Sequence, residues 1–319
     1  MASNKLDTAN FRTSQMLNTP LPALDDMEGK IIPKGLGPVV DAHVHVFPDA
    51  LFTAVWDWFD QFGWPIRYRL RTVDLVEFLF SRGIDHIVAL QYAHQPGMAR
   101  KLNDYMLDLC RSYPNITGMA TVFPGEDHGV NILQDAFDAG LKGVKLHSHV
   151  QCFNMNSPAM HDIYSICSQY KKPLIIHAGR EPKSPAYLCD PYEICCADFV
   201  ETVLKGYPDL QLCVPHLGAD EFLEYRRMVM RYDNLWLDTT MVLADYLPCD
   251  NLPPLSSFRT DRVLYGTDFP NLPYAWDREI KRLCKLGIDG SSLTQILGTN
   301  AARLFDIELP QPLVGQELP

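Results

Sequence analysis

The chain has 319 residues, 47% hydrophobic and 21% charged, which is enough apolar material for one large core. Its formal net charge of −11 opposes a nucleic-acid or anionic-membrane partner, and no apolar run of about 18 residues is present to cross a bilayer. The nine cysteines are odd in number and form no C-x-x-C pair. The first 38 residues lack the apolar core of a signal peptide, so reduced thiols in a cytoplasm are expected.

Residues 1–38 are polar and contain proline, which reads as an N-terminal arm. The first strand is expected over 39–46 (VVDAHVHV). Strict alternation there puts His43 and His45 on one face with Asp41 and Phe47, and Val40, Ala42, Val44 and Val46 on the other. Further strands are expected over 85–92, 116–123, 141–147, 173–178, 210–216, 234–239 and 262–268. Amphipathic stretches such as TVDLVEFLFSRG, ARKLNDYMLDLC and ADFVETVLKGY separate them, several ending at a Gly or Pro that stops a helix. Eight strands alternating with helices give parallel β-α units and an α/β fold, a single-domain (β/α)8 TIM barrel over 39–306. An open doubly wound sheet is the competitor, but the G-x-G-x-x-G loop usual after its first strand is missing. Residues 307–319 read as a C-terminal tail.

A (β/α)8 barrel works at the C-terminal ends of its strands. The histidines gather there: His43 and His45 on the first strand, His147 and His149 after Lys145 on the fourth, His177 ending the fifth and His216 ending the sixth. Asp268 ends the eighth strand, and His94 follows the second. A single histidine on an apolar strand is commonly a hydrogen-bonded core residue, and H-x-H alone also fits a polar edge strand. Imidazoles from several strands converging on one rim with a carboxylate instead suit a metal, Zn²⁺ first, with Fe²⁺, Mn²⁺ and Co²⁺ as alternatives.

With "DAHVHVFP", "GVKLH", "LIIHAG", "VPHLG", "YGTDFP" and "ILGTNAARLF" in this order, the chain resembles the amidohydrolase superfamily over residues 39–305. Within it, the motifs resemble the amidohydrolase-2 branch of TIM-barrel metal-dependent hydrolases, which includes lactonases, decarboxylases and hydratases. The resemblance implies His43, His45, His177 and Asp268 as metal ligands, with Asp268 also taking a proton from water activated on the metal. It implies that His216 binds a second ion or polarises the substrate. Lys145 would be a carbamate bridging two ions or a partner for a substrate carboxylate. An ion pair with Asp41 or a neighbouring carboxylate is the structural alternative for that lysine.

Two loops at the rim are candidates for recognition. "LFTAVWDWFDQFGWP" carries Trp56, Trp58, Phe59, Phe62 and Trp64, either an aromatic lid over a ring-shaped substrate, with Trp56 as a contact, or ordinary helix core. "HAGREPKSPAY" places Arg180 where it could bind a substrate carboxylate bidentately, or hold the loop through Glu181 or Asp190. His147 shares the face of Lys145 and is expected to line the pocket.

The expected function is a metal-dependent hydrolase with one or two ions, cleaving a C–O or C–N bond of a small acidic or cyclic molecule. The alternative is a non-oxidative decarboxylase of an aromatic or muconate-like acid. A catalytically silent scaffold barrel is disfavoured by the complete ligand set. The expected partner is a small-molecule substrate, without nucleic acid or membrane, and a homo-oligomer is compatible with the sequence.

Overall fold

The computed structural model describes Ala23 and residues 25–180, 185–247, 249 and 251–310. Eight parallel strands alternate with helices. They are β1 (Val40–His45), β2 (His86–Leu90), β3 (Ile116–Gly118), β4 (Val144–His147), β5 (Leu174–His177), β6 (Leu212–Val214), β7 (Leu235–Asp238) and β8 (Val263–Leu264). Hydrogen-bonded ladders join β1-β2-β3 and β4 through β8.

The two ladders meet at both seams. Between β3 and β4, Ala120 N donates to Gly143 O at 2.8 Å and Lys145 N to Ala120 O at 2.8 Å. Between β8 and β1, Ala42 N donates to Tyr265 O at 2.9 Å and His45 N to Phe269 O at 2.8 Å. The ring is the expected (β/α)8 barrel.

Alternation along the strands sorts side chains into two layers. Val40, Ala42, Val88, Leu90, Ile175, Cys213, Trp236 and Leu264 fill the barrel interior, and Ala301, Leu304 and Phe305 of the last helix pack against them. Val144, Leu146, Leu174, Ile176, Leu212, Val214, Leu235 and Leu237 belong instead to the layer beneath the helices. The helices α1 (Asp49–Phe62), α2 (Thr72–Ser81) and α3 (Ala99–Ser112) follow the same logic. In α2, for example, Thr72, Leu75, Val76 and Leu79 form one buried stripe at helical spacing.

The first strand departs from strict alternation. Its register with β2 runs Val40↔His86, Asp41↔Ile87, then Val44↔Ala89, so β1 spends one more residue than its partner between Asp41 and Val44. This bulge changes the phase of the strand. Val40 and Ala42 therefore lie in the interior core, while Val44 and Val46 lie in the outer layer, instead of all four sharing a face. The extra residue is what lets an apolar barrel floor give way to histidines one layer higher.

The later strands are shorter than their sequences suggest, because the last residues of each run turn into rim loops. Backbone φ is positive at His216 (58°), Met241 (62°) and Asp268 (73°), just beyond β6, β7 and β8. The described part of the expected arm runs along the outside: Gly29 N donates to Asp277 Oδ2 at 2.8 Å and Ile32 N to Arg82 O at 2.8 Å. Residues 1–22 and 24 of that arm, and 311–319 of the expected tail, lie outside the described residues. Ile307 and Leu309 pack against the interior cluster. Among the described residues no helix is long and apolar enough to cross a membrane.

The interior core depends on its closing helix. Phe305→Ala removes a fully buried ring and should lower unfolding free energy by about 3–5 kcal/mol, measured by urea denaturation. A loss within about 0.5 kcal/mol, the range of a surface substitution, would mean that this helix does not close the core.

Candidate metal centre at the barrel mouth

His43 and His45 are buried at the end of β1. His43 Nδ1 lies 2.8 Å from Asp238 Oδ2 at the end of β7. A carboxylate only accepts, so Nδ1 carries the proton and Nε2 presents a lone pair inward. That nitrogen is 3.3 Å from His45 Nε2 and 3.4 Å from Asp268 Oδ1, and His45 Nε2 is 3.0 Å from the same carboxylate oxygen. Three donor atoms from both sides of the β8–β1 seam thus lie within 4.8 Å of one another.

The electrostatics suit a cation. Burial lowers the His43 pKa to about 4, reinforced by the Lys145 charge and opposed by Asp238 and Asp268, so the imidazole is neutral at pH 7. Burial also lowers that of His45. For Asp268 burial raises the pKa, but the hydrogen bond shared with His45 and the closeness of His43 and His216 outweigh it and hold the carboxylate below its ordinary range. Asp238 is held ionised in the same manner, against its burial, chiefly by His43. It also accepts from the backbone N–H groups of His216 at 2.9 Å and Thr240 at 3.2 Å. Two neutral imidazoles and one carboxylate converging on a buried point form a fitting donor set for a divalent ion.

Lys145 enters from β4, fully buried, with Nζ 3.5 Å from His43 Nε2. Burial lowers its pKa to about 8, partly offset by Asp238 and Asp268. The ion pair with Asp41 considered from the sequence does not form. Thr267 Oγ1 donates to Asp41 Oδ2 at 2.6 Å, and the Thr267 and His43 N–H groups donate to Asp41 Oδ1.

His177 and His216 form an adjoining pair. His216 Nδ1 donates to Thr240 O at 3.0 Å, which leaves Nε2 facing His177 Nδ1 at 3.2 Å. His216 lies beside the three donors, its ring centroid 5.6 Å from that of His43. The His177 ring stacks on His147 at 4.1 Å, and Tyr92 meets both His147 and His45 edge-on. His177 is therefore in the site but outside the tight group of His43, His45 and Asp268.

The recognition candidates sit farther out. Trp56 is a core residue of α1, stacked on Phe52 at 5.7 Å and covered by the Arg71 guanidinium at 5.0 Å. Trp58 is the aromatic of that helix that reaches the rim. It stacks on Tyr187 at 5.9 Å, and Tyr187 in turn meets His149 at 5.5 Å. Arg180 is exposed, with its guanidinium 4.6 Å from the Tyr192 ring centroid, and its suggested partner Glu181 lies outside the described residues.

Asp238 is the residue that sequence reasoning missed. The signal was available: a carboxylate ends the apolar run NLWLD as Asp268 ends its own strand.

An amidohydrolase family model matches residues 40–307. No curated protein matches the chain. Among solved structures, the chain is similar to a TIM-barrel protein from Bordetella bronchiseptica, at 19% identity, 84% coverage of this chain, 98% of that one and a TM-score of 0.64. A second is 5-carboxyvanillate decarboxylase from Novosphingobium aromaticivorans, in complex with manganese and 4-hydroxy-3-methoxy-5-nitrobenzoic acid, at 17% identity, 88% and 99% coverage and a TM-score of 0.61. A third is 2,6-dihydroxybenzoate decarboxylase from Rhizobium, at 17% identity, 85% and 99% coverage and a TM-score of 0.60. At such identities the likeness establishes the shared fold.

The bond between Asp238 and His43 gives a test of the donor set. Asp238→Ala frees the His43 ring to rotate and change tautomer, so affinity for Mn²⁺ or Zn²⁺, read by chelator competition, should fall about 10–100-fold. Unchanged affinity in a folded variant would remove His43 from the centre.

Proposed function

Because the chain belongs to the amidohydrolase family, we propose that it is a metal-dependent, non-oxidative decarboxylase of an aromatic acid. The observation that carries this reading is the wall of rings beside the three donors. Tyr92, His147 and His177 stand face to edge or face to face around them, and Trp58 and Tyr187 continue the wall toward the rim. Such a wall offers faces and edges against which a planar ring packs more favourably than a bulky saturated one. The similar barrels that decarboxylate 5-carboxyvanillate and 2,6-dihydroxybenzoate support the same choice of reaction, and one of them holds manganese with a nitrobenzoic acid.

A divalent ion at His43, His45 and Asp268 would supply Lewis acidity toward a carboxylate or phenolate oxygen. The chain's own groups do the rest. Lys145 adds a buried positive charge beside His43, suited to an anionic substrate. Loss of CO₂ replaces a C–C bond by a C–H bond, so one proton must reach the ring carbon. We assign that transfer to Asp268 and His216; in support, Asp268 Oδ1 shares a hydrogen bond with His45 and His216 Nε2 shares one with His177. Mn²⁺ and Zn²⁺ are the leading ions, because imidazole and carboxylate donors accept either. The acidic chain and the thiols of buried Cys167, Cys195 and Cys213 support a small-molecule enzyme of the cytoplasm.

Hydrolysis of a C–O or C–N bond is the second reading. Lys145 favours it, because it is fully buried on β4 beside the donors and the resemblance gives a fourth-strand lysine, as its carbamate, the role of bridging two ions.

The experiment is a panel of hydroxylated benzoates and the corresponding lactones and esters, offered to Mn²⁺- and Zn²⁺-loaded protein in deuterated buffer. Decarboxylation should release CO₂ and place deuterium on the ring carbon, and Asp268→Asn should reduce the rate about 10²–10⁴-fold. Turnover of the lactones or esters without CO₂ would replace this reading with the hydrolytic one.

A further inference from the structure

We propose that Asp41 is a positioning residue that sets the spacing between the donors of β1 and the donor after β8, and that Thr267 is its working partner. The inference rests on the metal reading above but concerns residues outside the donor set. Asp41 is wholly buried, two residues before His43. Its Oδ2 accepts the Thr267 hydroxyl at 2.6 Å, and its Oδ1 accepts the N–H of Thr267 at 3.1 Å and of His43 at 3.2 Å. The Thr267 oxygen in turn accepts the Phe269 N–H at 3.0 Å. One carboxylate and one hydroxyl therefore hold the backbone on both sides of Asp268 and the backbone of His43.

The local geometry explains why such a clamp is needed. The bulge between Asp41 and Val44 takes the strand out of regular pairing, and its His43 N–H is received by the Asp41 side chain. Across the seam Asp268 has φ at 73°, a conformation that an L-residue keeps only when its surroundings impose it. Asp268 N donates to His43 O at 2.9 Å, so an error in either segment is passed to the other. Gly266 completes the fit, because a Cβ there would stand 2.8 Å from His43 Cβ and 2.5 Å from Thr240 Oγ1. The clamp does not touch the ion. It acts by fixing where His43 Nε2, His45 Nε2 and Asp268 Oδ1 stand.

The test uses the full chain loaded with Co²⁺, whose visible absorption reports the number and arrangement of ligands. Thr267→Val keeps the shape and removes the hydroxyl, and Thr267→Ser restores it. The valine variant should bind Mn²⁺ about 10–100-fold more weakly and show a shifted Co²⁺ spectrum, and the serine variant should recover both. Should the valine variant fail to fold, Asp41→Asn carries the comparison, since the amide keeps the size but turns an acceptor toward Thr267 into a donor. A valine variant with the parent's affinity and spectrum, even at lowered thermal stability, would overturn the proposal and leave Asp41 as a structural residue. Failure of the parent chain itself to bind Co²⁺ or Mn²⁺ would overturn the metal reading first and this inference with it.

Discussion

Closure of the ring between β8 and β1 is the constraint on which the rest depends. Residues 43 and 268 are separated by most of the chain, and they become neighbours only because the last strand pairs with the first. The backbone bonds across that seam, Ala42 N to Tyr265 O, Asp268 N to His43 O and His45 N to Phe269 O, alternate with the donor side chains. The same few residues therefore close the fold and build the site. A defect in one is a defect in the other.

The second constraint is electrostatic. The barrel mouth buries three carboxylates (Asp41, Asp238 and Asp268), one ammonium group and several imidazoles, an arrangement that is costly unless each charge has a partner. Each one does. Asp238 holds His43 and two backbone amides, Asp268 meets His45, and Asp41 is satisfied by a hydroxyl and two amides. Burial keeps His43 neutral and lowers the pKa of His45, and the bond to Asp238 turns the His43 Nε2 lone pair toward His45 and Asp268. The polarity of the site follows from how its charges are paired, beyond which residues are present.

Much of this was legible in the sequence. Eight apolar runs separated by amphipathic ones identify the barrel, and polar residues mark the mouth on β1, β4, β5 and β7 and just beyond β6 and β8, from His43 to Asp268. Periodicity fails where the backbone departs from the regular strand. The bulge in β1 cannot be read from VVDAHVHV, so the division of its valines between two layers was misassigned. Trp56 and Trp58 differ by two positions on one helix, and only packing decides that the first is core while the second stacks at the rim. The role of Asp41 was hidden for the same reason: its partner lies 226 residues away across the seam. The choice between decarboxylation and hydrolysis is not written in the donors, because one barrel hosts both chemistries.

The central claim is that His43, His45 and Asp268 hold one divalent ion at the closed seam. The most direct measurement is an anomalous difference map at a metal absorption edge, from crystals of the full chain purified without chelator. The account predicts a peak within bonding distance of His43 Nε2, His45 Nε2 and an Asp268 oxygen, absent in His45→Ala. A map without a peak at those atoms, even after reconstitution with Mn²⁺ and Zn²⁺, would contradict it.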